Sequence, residues 1–393
     1  MTIRRMITAL ALCLLLPGAL ACAQGEPMES GEPLGLSSPA AILMEQKTGR
    51  VIFEKNADER RPVASVTKVM TILLTLEAID SGKIGVQDTV SVSQSAASMG
   101  GSQAFLDAGG RYPVGDLLKS VIVASANDSA YALAEHIAGS HEAFVRAMNE
   151  RAQALGLSNT NFVNCTGLPA PGHFMSARDV ALLSRELDRH PLYYEYSTVW
   201  MDEIRHGGGR VTQLTNTNRL TRFYPGCDGY KTGSTNEARY CISATAKKDG
   251  MRLIAVVLGC DAGQRRFDEA RAMLDYGFAG YALFSPAKEG DALGANVPVR
   301  MGSADQVAAV CGGTHTMLIK KGGQGEITLD VTLEPSVTAP VRRGDVVGEI
   351  RIMQGGKAVA KMSAVAGADV PLPGFLSGLL RIGERFIMRG QSY

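Results

Sequence analysis

The chain has 393 residues, 40 Lys and Arg against 39 Asp and Glu, and a formal net charge of +1. That length suits one large domain or two to three ordinary ones, and a 45% hydrophobic content supplies a packed core. The near-cancelling charges exclude a global basic field for nucleic acid, the 44 glycines lack a collagen-like period, and no apolar run beyond the N-terminus reaches membrane-spanning length.

The chain opens as a secretory leader. Arg4 and Arg5 form a positive start, residues 6–16 are apolar, and Pro17 and Gly18 break the run. Small-x-small sites follow at Ala19-Leu20-Ala21 and Ala21-Cys22-Ala23, so residues 1–23 are expected to be removed. Lipidation on Cys22 would want a large aliphatic residue three positions earlier, and Ala19 stands there. Residues 24–38, rich in Gly, Glu, Ser and Pro, are expected to form a flexible spacer.

Residues 40–44 and 51–53 flank a turn and predict two strands. Val66, Val69, Met70, Leu73 and Leu74 recur at helical spacing, with Gly82 as a stop. Further helices are expected at 117–124, 128–137, 176–187 and 267–278, with Asp128 capping the second of these. Residues 240–246 and 253–258, separated by Asp249-Gly250, predict a hairpin. Strands at both ends with helices between imply an α/β (α+β) domain over 39–282, an antiparallel sheet with helical layers.

From 283 to 372 short β-type runs take over, at 297–299, 316–319, 327–333, 346–352 and 359–362, and predict a small all-β domain. Over 373–393, Phe375, Leu379, Ile382 and Phe386 line one helical face and Arg381, Arg385 and Arg389 another. A terminal amphipathic helix lying on a membrane surface is expected, with a helix that caps the β-domain or meets a partner as the alternative.

Five cysteines remain after the leader: Cys165, Cys227, Cys241, Cys260 and Cys311. An odd, scattered set is no disulfide framework, and no metal-site spacing exists. Cys227 facing Cys241 across a hairpin stays open at this point. No cofactor or metal is called for.

The chemistry lies in three short motifs. Ser65-Val66-Thr67-Lys68 puts a hydroxyl and an amine three residues apart on one helical face. A serine is a weak nucleophile until a base takes its proton, and a lysine serves once burial lowers its pKa. Ser125-Ala126-Asn127 lies between two helices, where Ser125 can relay a proton and Asn127 can hold Lys68 and a substrate amide. Lys231-Thr232-Gly233 precedes a β-rich run; Lys231 and Thr232 suit a carboxylate, and Gly233 lets a backbone approach. Each pattern also occurs by chance here, as Ser285-Pro286-Ala287-Lys288, Ser234-Thr235-Asn236 and Lys47-Thr48-Gly49. The specific signal is the ordered set, with S-x-N 60 residues after S-x-x-K and K-T-G another 106 later.

This trio marks class A β-lactamases and penicillin-binding proteins. Over nearly its whole length the chain resembles low-molecular-weight penicillin-binding proteins, the serine-type D-alanyl-D-alanine carboxypeptidases, including at Gly167-Leu168-Pro169 and residues 175–179. A class A β-lactamase would need a glutamate after S-x-N, and none lies between Glu150 and Glu186. The resemblance implies a β-lactamase/transpeptidase-like catalytic fold and peptidoglycan stem peptides as substrate. It implies acylation of Ser65 with Lys68 as general base, and an oxyanion held by the Ser65 and Ser234 N–H groups. It implies a terminal carboxylate on Lys231, Thr232 and Arg266, with Arg265 as the alternative and Arg219 at the rim. It also implies β-lactams as acylating inhibitors, a place on the outer face of the cytoplasmic membrane, and no nucleic acid. A β-lactamase-like hydrolase and a non-catalytic penicillin sensor are the competing readings. His173 is read as structural and His206, beside Gly207-Gly208-Gly209, as part of a flexible turn.

Overall fold

The computed structural model describes residues 34–374. The expected leader over 1–23 lies outside these residues, as does the expected terminal helix over 373–393 apart from its first two residues.

Strands β1 (Ala40–Glu45) and β2 (Val51–Lys55) form the first hairpin. Helix α1 (Lys68–Asp80) follows and gives way at Gly82, whose φ of +72° a side chain would resist. A small ribbon, β3 (Thr89–Ser91) with β4 (Arg111–Pro113), encloses α2 (Gln94–Ala97). The helical layer continues with α3 (Val114–Val123), α4 (Asn127–Ala138), α5 (His141–Ala154), α6 (Ala177–Leu187) and α7 (Pro191–Ser197). Hairpin β5 (Met201–Arg205) and β6 (Val211–Thr215) and the turn α8 (Leu220–Phe223) lead to β7 (Cys227–Thr235), β8 (Arg239–Lys248) and β9 (Met251–Cys260), then α9 (Arg265–Gly280).

The main sheet is antiparallel in the order β2-β1-β9-β8-β7. Its strands bury both faces, and successive side chains point to opposite sides. Along β9, Ile254, Val256 and Leu258 join the core beneath α1 and α3 to α6, while Leu253, Ala255 and Val257 join the core beneath α9. β1 beside β9 brings the first and last strands of this domain together in one sheet and leaves β7 as the edge facing the start of α1.

Within the described residues, each helix expected from periodicity is present. α5, α7 and hairpin β5–β6 have no counterpart in the sequence reading. One expectation needs correction here, and one open point is resolved. The end of the expected flexible spacer is tied down: Leu36 is buried, and the Ser37 and Ser38 N–H groups donate to the Glu269 carboxylate on α9. Cys227 and Cys241 are free, because the β7–β8 register sets Cys227 opposite Ala246 and Cys241 opposite Gly233.

Beyond α9, β10 (Tyr281–Ala287) begins the second β region. It continues with β11 (Ala292–Arg300), β12 (Gln306–Cys311), β13 (His315–Lys320), β14 (Ile327–Leu333), β15 (Val337–Thr338), β16 (Val346–Gln354) and β17 (Lys357–Ala366). Six of these form a sheet in the order β14-β16-β17-β12-β11-β15. β10 pairs with β13 instead, and Tyr281 and Leu318 from this ribbon pack into the core beneath α9. Among the described residues no helix is long and apolar enough to cross a membrane.

Candidate active site

Ser65 sits in a 3-10 turn, Ala64–Thr67, that leads into α1, and Lys68 is the first residue of the α-helix proper. Ala64 holds φ at +48°, an uncommon backbone for a residue with a Cβ. Ser65 is half-buried and Lys68 wholly buried. Lys68 Nζ donates to Ser65 Oγ at 2.9 Å and to the Thr166 carbonyl at 2.6 Å. Burial lowers its pKa to about 7, against weaker opposition from Cys165 and Asp128. A lysine so placed reaches its free-base form near neutral pH, with its lone pair available to the hydroxyl.

The loop carrying Thr166 is shaped by Gly167, at φ +82°, where a Cβ would stand 1.9 Å from the Ala64 carbonyl oxygen. Asn164 Oδ1 accepts from the Thr166 and Gly167 N–H groups and fixes the turn. His173 braces it from behind. Its Nε2 lies 2.7 Å from Thr67 Oγ1, its Nδ1 accepts from the Val163 N–H, and burial pushes its pKa down to about 4. A neutral, fully engaged imidazole is structural, in line with its sequence reading.

The second wall is the α3–α4 junction. Ser125 is buried at φ +64°, and its Oγ has no hydrogen-bond partner among the described residues. Asn127 donates from Nδ2 to the Gly100 carbonyl at 2.6 Å, and its Oδ1 is likewise unpartnered. The expectation that Asn127 holds Lys68 is therefore corrected: Thr166 has that place, and the Asn127 amide anchors the loop at Gly100. Asp128 is not the helix cap either. It lies in the first turn of α4, and its carboxylate accepts from the Ala104 and Leu106 N–H groups. That contact ties the loop over residues 100–106 to the same junction.

The third wall is β7. A Cβ on Gly233 would meet the Val63 carbonyl oxygen at 2.6 Å and the Ser65 nitrogen at 2.9 Å, so only glycine lets this strand lie against the serine turn. Lys231 is fully buried and donates to the Thr232 carbonyl; burial, then the charges of Lys68 and Arg266, hold its pKa well below the ordinary lysine value. Thr232 donates from Oγ1 to Thr217 Oγ1 at 2.8 Å, a partner the sequence reading missed. Ser234 is exposed at the cleft edge. Arg266 reaches across from α9 to donate to the Gly233 carbonyl at 2.9 Å, whereas Arg265 is exposed in a surface pair with Asp261. Arg219 is exposed and lines, with Thr217 and Arg266, a hollow of about 590 Å³.

Two of the three chance motif matches fall elsewhere, and the third starts at Ser234 on the cleft edge and runs out of the site. Ser285 meets Thr316 in the β10–β13 ribbon, Thr48 folds back on Glu45 in the first hairpin turn, and Asn236 follows the end of β7. His206 is not a loose turn residue, since its ring bonds to Tyr112 Oη and Thr212 Oγ1 and pins the β5–β6 hairpin.

The chain that carries this arrangement is similar to known proteins. The D-alanyl-D-alanine carboxypeptidase (peptidase S11) pattern matches residues 27–262, and the penicillin-binding protein 5 C-terminal domain matches residues 281–372. The chain belongs to the D-alanyl-D-alanine carboxypeptidase family. It is 37% identical over 383 residues to the D-alanyl-D-alanine carboxypeptidase DacF of Bacillus subtilis, spanning 96% of this chain and 97% of that protein. It is 36% identical to DacC of Escherichia coli, over 88% of this chain and 87% of that protein. Among solved structures, penicillin-binding protein 5 of Haemophilus influenzae matches with a TM-score of 0.74 at 32% identity, covering 87% of this chain and 100% of that chain. Among the described residues no cluster of His, Cys, Asp or Glu could hold a metal ion.

Proposed function

We propose that this family member removes the terminal D-alanine from peptidoglycan stem pentapeptides through an acyl-enzyme on Ser65. The observation that carries the reading is the contact of Ser65 Oγ with a fully buried Lys68 whose proton is lost near pH 7. Lys68 takes the hydroxyl proton as Ser65 attacks the carbonyl carbon of the penultimate D-Ala. The Ser65 and Ser234 N–H groups receive the developing oxyanion, each such donor contributing about 3 kcal/mol. Ser125 passes the proton to the departing amine, a role suited to its unpartnered hydroxyl. D-Alanine leaves, and water hydrolyses the ester to a tetrapeptide stem and free Ser65.

Lys231, Thr232 and Arg266 bind the substrate's terminal carboxylate, with Arg219 at the rim. Arg266 has this role rather than Arg265, whose guanidinium is spent on Asp261. Asn127 Oδ1 accepts from the stem's backbone. Trimming the pentapeptide limits cross-linking in the wall. β-Lactams mimic the acyl-D-Ala-D-Ala end and acylate Ser65. The leader exports the chain, and the terminal helix holds it on the outer face of the cytoplasmic membrane.

The test is D-Ala release from diacetyl-Lys-D-Ala-D-Ala by protein lacking residues 1–23, beside Ser65→Ala, with mass spectrometry after benzylpenicillin. Turnover lost in the variant and one penicilloyl adduct on Ser65 is the expected result. Penicillin hydrolysis without D-Ala release would instead make it a β-lactamase, and an adduct without turnover of either would make it a sensor.

A further inference from the structure

Residues 161–174 form a strap against the first turns of α1. Asn161 and Phe174 pair backbone to backbone at its base, and Asn149 of α5 bonds both the N–H and the carbonyl of Phe162. Its far end carries the Thr166 carbonyl that accepts from Lys68, and Thr71 Oγ1 donates to the neighbouring Cys165 carbonyl at 2.6 Å. One buried side chain spans the strap from inside. The Val163 N–H, 3.1 Å from His173 Nδ1, needs a lone pair on that nitrogen, so the ring hydrogen sits on Nε2 and is donated to Thr67 Oγ1 at 2.7 Å. Thr67 immediately precedes Lys68, and the strap lies so near that a Cβ on Gly167 would stand 2.8 Å from its Oγ1. Phe162 meets the imidazole edge to face at 5.9 Å and fixes its plane. An apolar side chain would fill this space without the desolvation cost of an imidazole. Both ring nitrogens are instead spent on joining the strap to the nucleophile turn.

We propose that His173 is a positioning residue of the reaction, holding the strap shut on the 3-10 turn so that Lys68 Nζ meets Ser65 Oγ and the Thr166 carbonyl and not water. The inference rests on the reading of Lys68 as the base given above. The titratable groups whose charges act with that of Lys68 are Cys165 on the strap, Asp128 on α4 and Lys231 on β7. Burial outweighs Cys165 and Asp128, so the seal of the strap, and no neighbouring charge, is what frees the lysine of its proton near pH 7. Water admitted at that seam would solvate the ammonium form and return the lysine toward its ordinary value. Among the described residues no charge shifts His173 itself. Burial alone pushes its pKa down to about 4, so the ring stays neutral while Lys68 titrates.

The pH profile of Ser65 acylation by a chromogenic cephalosporin, read by stopped flow beside a thermal melt, tests this in protein lacking residues 1–23. His173→Ala and Thr67→Val should each move the rising limb up by about one pH unit. Acylation is then about tenfold slower near pH 6 and within about twofold of wild type near pH 9.5. The double variant should move the limb no further than either single one, since both break the same bond. His173→Gln, whose amide N–H can reach Thr67 Oγ1, should keep it within about 0.3 pH unit of wild type. Should His173→Ala melt below the assay temperature, Thr67→Val carries the expectation alone. A limb that stays in place, or the same loss at every pH, overturns the inference, because a side chain that only supports the fold lowers the active fraction alike at all pH. A limb restored no better by Gln than by Ala also overturns it. A wild-type profile without a limb near pH 7, or acylation that survives Lys68→Ala, would instead sink the reading of Lys68.

Discussion

The main sheet and the C-terminal sheet bury their strands differently. Along β8, residues 241–246 are all buried, because helices cover both faces. Along β14 the residues alternate between half-buried and exposed from Ile327 to Leu333. Only the doubly covered sheet gives a place where two lysines, Lys68 and Lys231, sit with no solvent contact to speak of. There burial pulls the Lys68 pKa down to about 7. On the C-terminal sheet the charged cluster Glu349, Arg351 and Lys361 stays exposed, where such pairs contribute little. The difference assigns reactivity to one sheet and leaves the other to support and contact.

Four changes would break or sharpen that contrast, ordered by their effect on acylation by a β-lactam. Lys68→Ala should slow acylation about 10³-fold, since a positioned base contributes about 10² to 10⁴; stopped-flow with a chromogenic cephalosporin measures it, and a loss under tenfold would mean another group takes the proton. Gly233→Ala should cost about 10²-fold, because the new Cβ must push β7 from the serine turn. Gel labelling with fluorescent penicillin, beside a thermal melt, separates that displacement from unfolding. The wild-type rate should rise about tenfold from pH 6 to well above pH 7, following the free base of Lys68. The linkage has the same sign. Between about 7 and 10.5 the unfolded lysine binds a proton the folded one lacks, so stability rises with pH across that window. Smallest is Ile350→Ala in the C-terminal sheet. Its core position predicts a loss of about 2 to 5 kcal/mol of local stability, seen by hydrogen exchange, with acylation within about twofold of wild type.

The same contrast explains what the sequence made legible. The three motifs were readable because each is a short run whose order along the chain is specific, and the helices carrying them show clear apolar spacing. β8 and β9 were readable as apolar runs, and β7 only through the K-T-G motif it carries. Thr166 and Thr217 were not, since their meaning comes from contacts spanning 98 and 15 residues with no local pattern. Gly167 was noticed only as a likeness; its reason, the approach of the Ala64 carbonyl, is tertiary. α5 escaped because its buried face is only Phe144, Met148 and Ala152, one residue per turn among charges. Its signals were Gly139 ending α4 and Ser140 capping the next start. β10 was lost because its partner β13 is distant in sequence, and β12, although it pairs with the neighbouring β11, is a six-residue run with two alanines between its valines.

The cysteines described in the fold give the protein a built-in clock. The five among the described residues are free and buried, and burial raises the pKa of each thiol. Neither an alkylating dye nor an oxidant finds a thiolate until a strand separates from its neighbour. With four of the five in the region of the main sheet and helices and only Cys311 in the C-terminal sheet, the order in which labels appear, read by peptide mass, ranks which sheet opens first.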